Sequence, residues 1–409
     1  MATQTFTMTQ ESLDQGNFYV PQFEVRIEGV GLPRDVLRDV REVSYHDDIN
    51  EVDGFQITVN NWDPDTRTYK YIGSETPASL NGSSEESVRQ RLFDPCNKEV
   101  ELWMGYPGKM QLMMKGIFTT LTPNFPSSGG PTLTVDALNL LHRFRGEKHT
   151  KVFDQNKTAS QIAAQFTLTN PATHTELHVV IDSTSQQQEP PLPYVLQDAQ
   201  YDLTFLMALA RKNGYVLLLR EEIDDEHGNV ITPAQLYFGP SNGSGLRQAT
   251  VELGWGKSLM EFKPTLTTAN QIKSVTVNGW NRDTKSVISK TASITDPSIN
   301  FNFDLKDLLN TCDPHEEQVV NEPVFTPGQA QQRAIDILKN RFRDMVTCSA
   351  TTVGVPDIRA GRNVVITGAG SRFNGNYFVT QTTHSIGESG YTTNFNARRE
   401  DPGQGGQSQ

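Results

Sequence analysis

Alternation of apolar and polar positions dominates this chain. Phe23, Val25 and Ile27 alternate with polar residues, as do Phe55, Ile57 and Val59, and Val100, Leu102 and Met104. Leu133, Val135 and Ala137 continue the pattern, Val275 and Val277 repeat it, and residues 364–366 and 377–383 are rich in β-branched and aromatic side chains. A period of two puts one face of each strand on a core and the other toward water or a partner. Turn-forming stretches at 124–131, 239–245 and 368–375 separate the runs.

Helical periodicity is confined to three places. Residues 158–166 are short and Ala-rich. In 202–213, Leu203, Leu206, Met207 and Ala210 share a face, with Asp202 expected as the cap and Gly214 as a left-handed terminator. In 327–345, Thr326 and Gln329 form a capping box, Pro327 suits the first helical position, and Ile335, Leu338, Phe342 and Met345 make the apolar stripe.

An internal repeat organises these elements. Residues 57–67, ITVNNWDPDTR, align with 275–285, VTVNGWNRDTK, at six identities in eleven positions. A weaker match in the same order aligns 130–137 with 390–397, and about 42 extra residues lie between the two anchors in the second copy. The expected plan has an N-terminal arm at 1–19, a first β unit at 20–145 and an intervening α/β segment at 146–247. A second β unit follows at 248–398, with a helical insertion at about 286–345, and then a polar tail at 399–409. The repeat makes Trp62 and Asp65 equivalent to Trp280 and Asp283, at the ends of alternating strands, as shared structural positions.

Charge narrows the function. The formal net charge is −12, which argues against a nucleic-acid binder, since that needs a basic face to displace counterions. Cys96, Cys312 and Cys348 have no CxxC spacing and read as small core fillers of a reducing compartment. Residues 1–15 carry no signal-peptide pattern, and the longest aliphatic run, 216–219, is too short to span a bilayer. Synthesis in the cytoplasm is therefore expected.

Candidate chemistry is sparse. His174 and His178 are four apart, but the apolar residues after them favour a strand, and a closed zinc site needs three or four ligands. Gly368 and Gly370 begin a dinucleotide-like pattern in which Phe373 replaces the third glycine and a strand, not a helix, follows. The acidic run 221–226 reads as a solvated hairpin tip without calcium-loop spacing. No catalytic, cofactor or metal residue is assigned, and no cofactor is expected.

Residues 193–215 resemble the segment before the second barrel of phage late-control-D proteins, and 275–285, with Gly279 and Trp280, resembles the start of that barrel. The C-terminal motifs are the most specific: Pro356-Asp-Ile-Arg-Ala-Gly361, 364–368, 373–379, Thr383-His384 and 391–395. They are similar to hub proteins of contractile tails and to the hub part of VgrG-type spikes. The resemblance covers 190–400 well and the first unit loosely. It implies a mainly β (α+β) fold of two related β-barrel domains, an intervening α/β domain and a helical insertion in the second barrel.

It also implies a homotrimeric baseplate hub with pseudo-hexameric symmetry, adapting a hexameric inner tube to a trimeric spike. The implied partners are itself, a separate spike protein, an inner-tube or tube-initiator protein and baseplate wedge proteins, with no specific nucleic acid and no membrane at rest. It implies assembly into a virion or injection particle and no enzymatic activity. Only residues 400–409 follow Arg399, too few for a spike, so the spike is expected as a separate polypeptide. Two rival readings are a tail-tip glycan-degrading enzyme, which needs paired carboxylates in a cleft, and a carbohydrate- or receptor-binding β protein that uses Trp62.

Overall fold

The computed structural model describes residues 6–7, 20–73, 85–95, 98–154, 156–169, 176–182, 189, 191–192, 194–220, 223–224, 230–232, 234–241, 243, 249–269, 271–282, 284–296, 308–309, 311, 315–320 and 324–400. Asp283, His174, Cys96, Cys312 and most of the acidic run 221–226 lie outside them. Within them the protein is mainly β, and one 14-stranded sheet runs through both halves of the chain.

The first half contributes β1 (Gln22–Ile27), β2 (Val40–Asp48), β3 (Gly54–Asn60), β4 (Glu99–Tyr106), β5 (Lys109–Asn124) and β6 (Thr132–Asn139). They lie side by side as β1-β4-β5-β6-β3-β2, with every neighbour antiparallel. The alternation seen in the sequence places Val25, Ile57, Val59, Leu102, Leu133 and Val135 in one fully buried core.

The middle segment is a smaller α/β layer. It contains α1 (Ala159–Ala163), β7 (Thr167–Thr169), β8 (Glu176–Ile181), α2 (Asp202–Lys212), β9 (Tyr215–Arg220) and β10 (Gln235–Pro240). Its sheet order is β7-β8-β10-β9, with β8 and β10 parallel. Ile162, Leu203, Phe205 and Leu206 pack the helices onto it. Gly214 ends α2 at φ +68°, as expected. Asp202 is not the cap. Tyr201 holds that position, and the Asp202 carboxylate turns instead toward Gln197 Nε2 (2.7 Å) and His149 Nδ1 (3.0 Å).

The second half contributes β11 (Ala249–Gly254), β12 (Leu259–Leu266), β13 (Ile272–Asn281), β14 (Ser286–Ser293), β15 (His315–Val319), α3 (Pro327–Arg343), β16 (Val346–Val353), β17 (Asn363–Thr367), β18 (Gly375–Gly387) and β19 (Gly390–Arg399). Six of these lie in the order β11-β17-β18-β19-β16-β12. In chain order this is first, fourth, fifth, sixth, third, second, the sequence followed by β1 to β6. All pairings also keep the same sense except one: β1 is antiparallel to β4, whereas β11 is parallel to β17.

Two β-bulges recur at matching places. The ladder between β5 and β6 skips Thr119, and the Thr119 hydroxyl donates to the Asp136 carbonyl at 3.3 Å. The ladder between β18 and β19 skips Thr380, whose hydroxyl donates to the Asn396 carbonyl at 3.1 Å. Likewise β2 skips Arg41 against β3, and β12 skips Met260 against β16. Bulges are specific features that bend a strand, so the recurrence is more than a shared strand count.

The structure corrects one correspondence. The counterpart of β3 is β16, because both lie between the second and sixth strands of their unit. Residues 275–281 belong instead to the three-stranded sheet β14-β13-β15, which together with α3 is inserted between β12 and β16. The insertion therefore begins before 286, the expected start. The match with 57–67 has a local cause. Both segments turn through the same hairpin: Trp62 pairs with Tyr69, and Trp280 with Val287. Arg67 and Lys285 both adopt positive φ, +54° and +52°. Hydroxyls pair alike, Thr66 with Thr68 at 2.7 Å and Thr284 with Ser286 at 2.8 Å. Turn chemistry alone can write such a match.

Candidate functional site

The two halves meet where β2 and β18 pair antiparallel, from Val43 opposite Ile386 to Asp48 opposite Gln381. Beyond its bulge, β18 leaves β17 and runs beside the other half. The core-side residues of this joint are Val43, Tyr45 and Asp47 from β2 and Thr382, His384 and Ile386 from β18, all buried. Alternation of 43, 45 and 47 thus sets a carboxylate on the core face. A buried charge needs a partner.

The partner comes from the loop between β16 and β17, which carries the motif Pro356-Asp-Ile-Arg-Ala-Gly361. Arg359 Nε donates to Asp47 Oδ2 at 2.8 Å, and its Nη2 donates to Tyr45 Oη and, at 2.8 Å, to the Met113 carbonyl. Its guanidinium also lies 4.7 Å from the centre of the Tyr45 ring. Burial disfavours the Arg359 charge, but Tyr45 and Asp47 outweigh it and hold the group above the ordinary arginine value. The Ala360 N–H at 3.2 Å and the Thr382 hydroxyl add further donors to Asp47.

His384 is fully buried behind this pair. Its Nε2 lies 2.8 Å from the Ile358 carbonyl, which can only accept, so Nε2 carries the proton. Nδ1 then accepts from the hydroxyls of Tyr391 (3.0 Å) and Thr393 (3.1 Å). Burial pushes the imidazole down to about 4, with Asp47 opposing and Arg359 reinforcing the shift. The ring is neutral at pH 7. Tyr106 of the first half donates to the Gly354 carbonyl at 2.9 Å, and burial pushes its hydroxyl up to about 12. A side chain at Gly354 would meet the Tyr391 ring at 1.9 Å, so the loop fits only as glycine there.

This geometry suits a rigid joint better than a reaction centre. Its polar atoms satisfy each other, and among the described residues no group of three or more His, Cys, Asp or Glu could hold a metal ion. Among those residues, no helix is long and apolar enough to cross a membrane.

The residues singled out by the sequence match lie elsewhere. Trp62 is half-buried, its ring 5.5 Å from that of Tyr69, which is 5.5 Å from Phe125. Asp65 is exposed, and its N–H donates to Asp63 Oδ1 at 3.0 Å. Trp280 is 50% exposed on β13. The structure does not bring these residues together. Sequence reasoning missed Asp47, although a carboxylate in phase with Val43 and Tyr45 was a signal that could have found it.

This doubled sheet with a small α/β layer between its halves is similar in fold to solved phage tail proteins. A tail protein from Neisseria meningitidis superposes with a TM-score of 0.60 at 13% identity, over 94% of this chain and 98% of that one. The 43 kDa tail protein of prophage MuSo2 from Shewanella oneidensis gives 0.58 at 14% identity, over 93% and 99%. An Escherichia coli type VI secretion component, described as similar to the T4 tail proteins gp27 and gp5, gives 0.52 at 12% identity, over 93% and 80%. No curated protein sequence matches the chain. The chain belongs to the Alg8 N-terminal domain family, whose model matches residues 19–388. The matched family is not the late-control-D family that the sequence motifs resemble, and the tail-protein likeness rests on the fold.

Proposed function

We propose that the chain is a structural baseplate hub of a contractile phage tail or tail-like injection system. In this reading three copies form a ring of six similar barrel-like β units, matching a hexameric inner tube on one face and a trimeric spike on the other. The observation that carries it is the recurrence of one strand order, with both bulges, inside a single chain. Two near-equivalent units per chain turn exact threefold symmetry into approximate sixfold symmetry. The tail-protein fold supports the same reading, as do the late-control-D motifs at 356–361 and 373–379.

The proposed role is mechanical, not enzymatic. The hub seeds the tube, holds a spike, contacts baseplate wedges and leaves a passage for cargo. It is made in the bacterial cytoplasm and acts within a virion or injection particle. The test is native mass measurement of the full chain, with imaging of its particles. A threefold ring with six similar lobes is expected, and a strictly monomeric protein with no ring at assembly concentrations overturns the reading.

A further inference from the structure

The internal joint between β2 and β18 has a counterpart that a single chain leaves open. β18 pairs with β2 beyond the Thr380 bulge. Its counterpart β5 continues beyond the Thr119 bulge beside β6, and among the described residues no strand lies along its other edge. β12, the counterpart of β2, pairs with β16 on one side, and beyond a single bridge from Leu259 to Trp255 no described strand pairs with its other edge.

The bulges and ladders fix which residues correspond. Thr119 matches Thr380 and Met260 matches Arg41. Carrying the β2–β18 register across then sets Leu121 opposite Leu266, Thr122 opposite Thr265, Pro123 opposite Pro264, and Phe125 opposite Phe262. At the internal joint the corresponding core-side positions are all buried. At the open edges Leu121, Pro123, Phe125, Phe262, Pro264 and Leu266 are all apolar and none is buried, with Phe125 55% exposed.

We propose that the open edge of β5 in one copy docks on the open edge of β12 in the next copy, repeating the internal joint between chains. This deepens the hub reading, on which it rests, by naming the surface where copies meet. The contact is head-to-tail, so it can close a ring. Apart from Asn124 opposite Lys263, like residues oppose like in the transferred register, and a second copy of this chain supplies them in that order.

The prolines define the character of the contact. Proline fits a ladder only with its missing N–H turned to the open side. Pro123 is paired with Leu133, and Pro264 with Cys348, so both open edges lack an N–H at facing positions. Such edges discourage pairing with arbitrary strands. Apolar packing, rather than a full ladder of hydrogen bonds, then selects the partner.

The test uses full-length protein carrying Cys96→Ser and Cys312→Ser. Thr122→Cys and Thr265→Cys are placed on separate chains, then mixed and mildly oxidised. The internal counterparts, Thr383 and His46, touch at 3.1 Å between Oγ1 and Nδ1. Ile49 donates to the Thr380 carbonyl, so the alternation makes Thr383 and His46 a non-hydrogen-bonded pair. Such a pair has Cα atoms about 4.5 Å apart, within disulfide reach. Disulfide-linked dimers are expected only in the mixture, and linked closed rings when both cysteines share one chain. Linked dimers from either single variant alone overturn the proposal. So does a trimer by native mass without cross-linking, which leaves the hub reading standing. A monomer overturns both. Independently, Thr122→Lys, at an exposed position of the same edge, is expected to weaken association at least about tenfold, and unchanged association counts against the proposal.

Discussion

The two β halves share a strand order but use their connections differently. In the first half the long link between β3 and β4 returns aromatic mass to its own core: Tyr71, Phe93 and Phe118 meet edge to face at 5.3 and 5.6 Å. In the second half the equivalent link, 354–362, is short and drives Arg359 across into the other half. One link thickens its own unit and the other locks two units together. The sheet is therefore the repeated part, and the connection decides whether a unit is self-sufficient or tied to its neighbour.

Breaking the tie should have the largest effect. Arg359→Met leaves Asp47 buried and uncompensated and is expected to cost about 3–5 kcal/mol, read as a fall in unfolding free energy by denaturant titration. A loss below about 1 kcal/mol, the scale of an exposed pair, would show that the link does not lock the halves.

The second effect is a pH dependence. Folding holds the His384 imidazole near 4, below the ordinary 6.5, so the unfolded chain takes up the proton first as pH falls. The contribution is complete above about 6.5 and is lost progressively toward 4, about 3 kcal/mol in all. His384→Gln should flatten the stability profile in that window, and an unchanged profile would contradict this assignment.

Smaller substitutions sharpen the comparison. Tyr71→Phe removes a donor to Asp39 (2.6 Å) within the first half, and Tyr106→Phe removes one to Gly354 across the joint (2.9 Å). Each should cost about 1–2 kcal/mol in thermal melts. Loss of the Gly354 bond should also raise protease sensitivity in the 354–362 loop, whereas Tyr71→Phe should leave that loop unchanged. The smallest effect tests the repeat itself. Thr119→Val and Thr380→Val each remove one bulge hydroxyl bond and should cost similar amounts, roughly 0.5–1.5 kcal/mol. A clear inequality would mean that the two bulges do not share one role.

Local pattern carried much of this architecture. Alternation around Ile57, Leu102 and Val135 marks real strands, and the Thr326–Gln329 capping box opens α3 where its chemistry says it should. The match of 130–137 with 390–397 corresponds to β6 and β19, which hold the same place in their units. Two features were not legible. The Trp62 and Trp280 segments match because the same hairpin recurs, and hairpin residues encode a turn, not its place in a sheet. The joint joins Asp47, Arg359 and His384 from distant parts of the chain, and no local period can show that. What was visible was the pair of motifs holding Arg359 and His384, without the partner they share, and the anomaly of a charge on an apolar face.

The bulge at Thr380 also bears on how load travels. It lets β18 serve one half with its first residues and the other half with its last, with no flexible loop between. A pull on either half therefore reaches the other along one covalent strand and a row of cross-strand bonds. The halves cannot swing apart as hinged lobes. They must shear a buried ladder before they can separate.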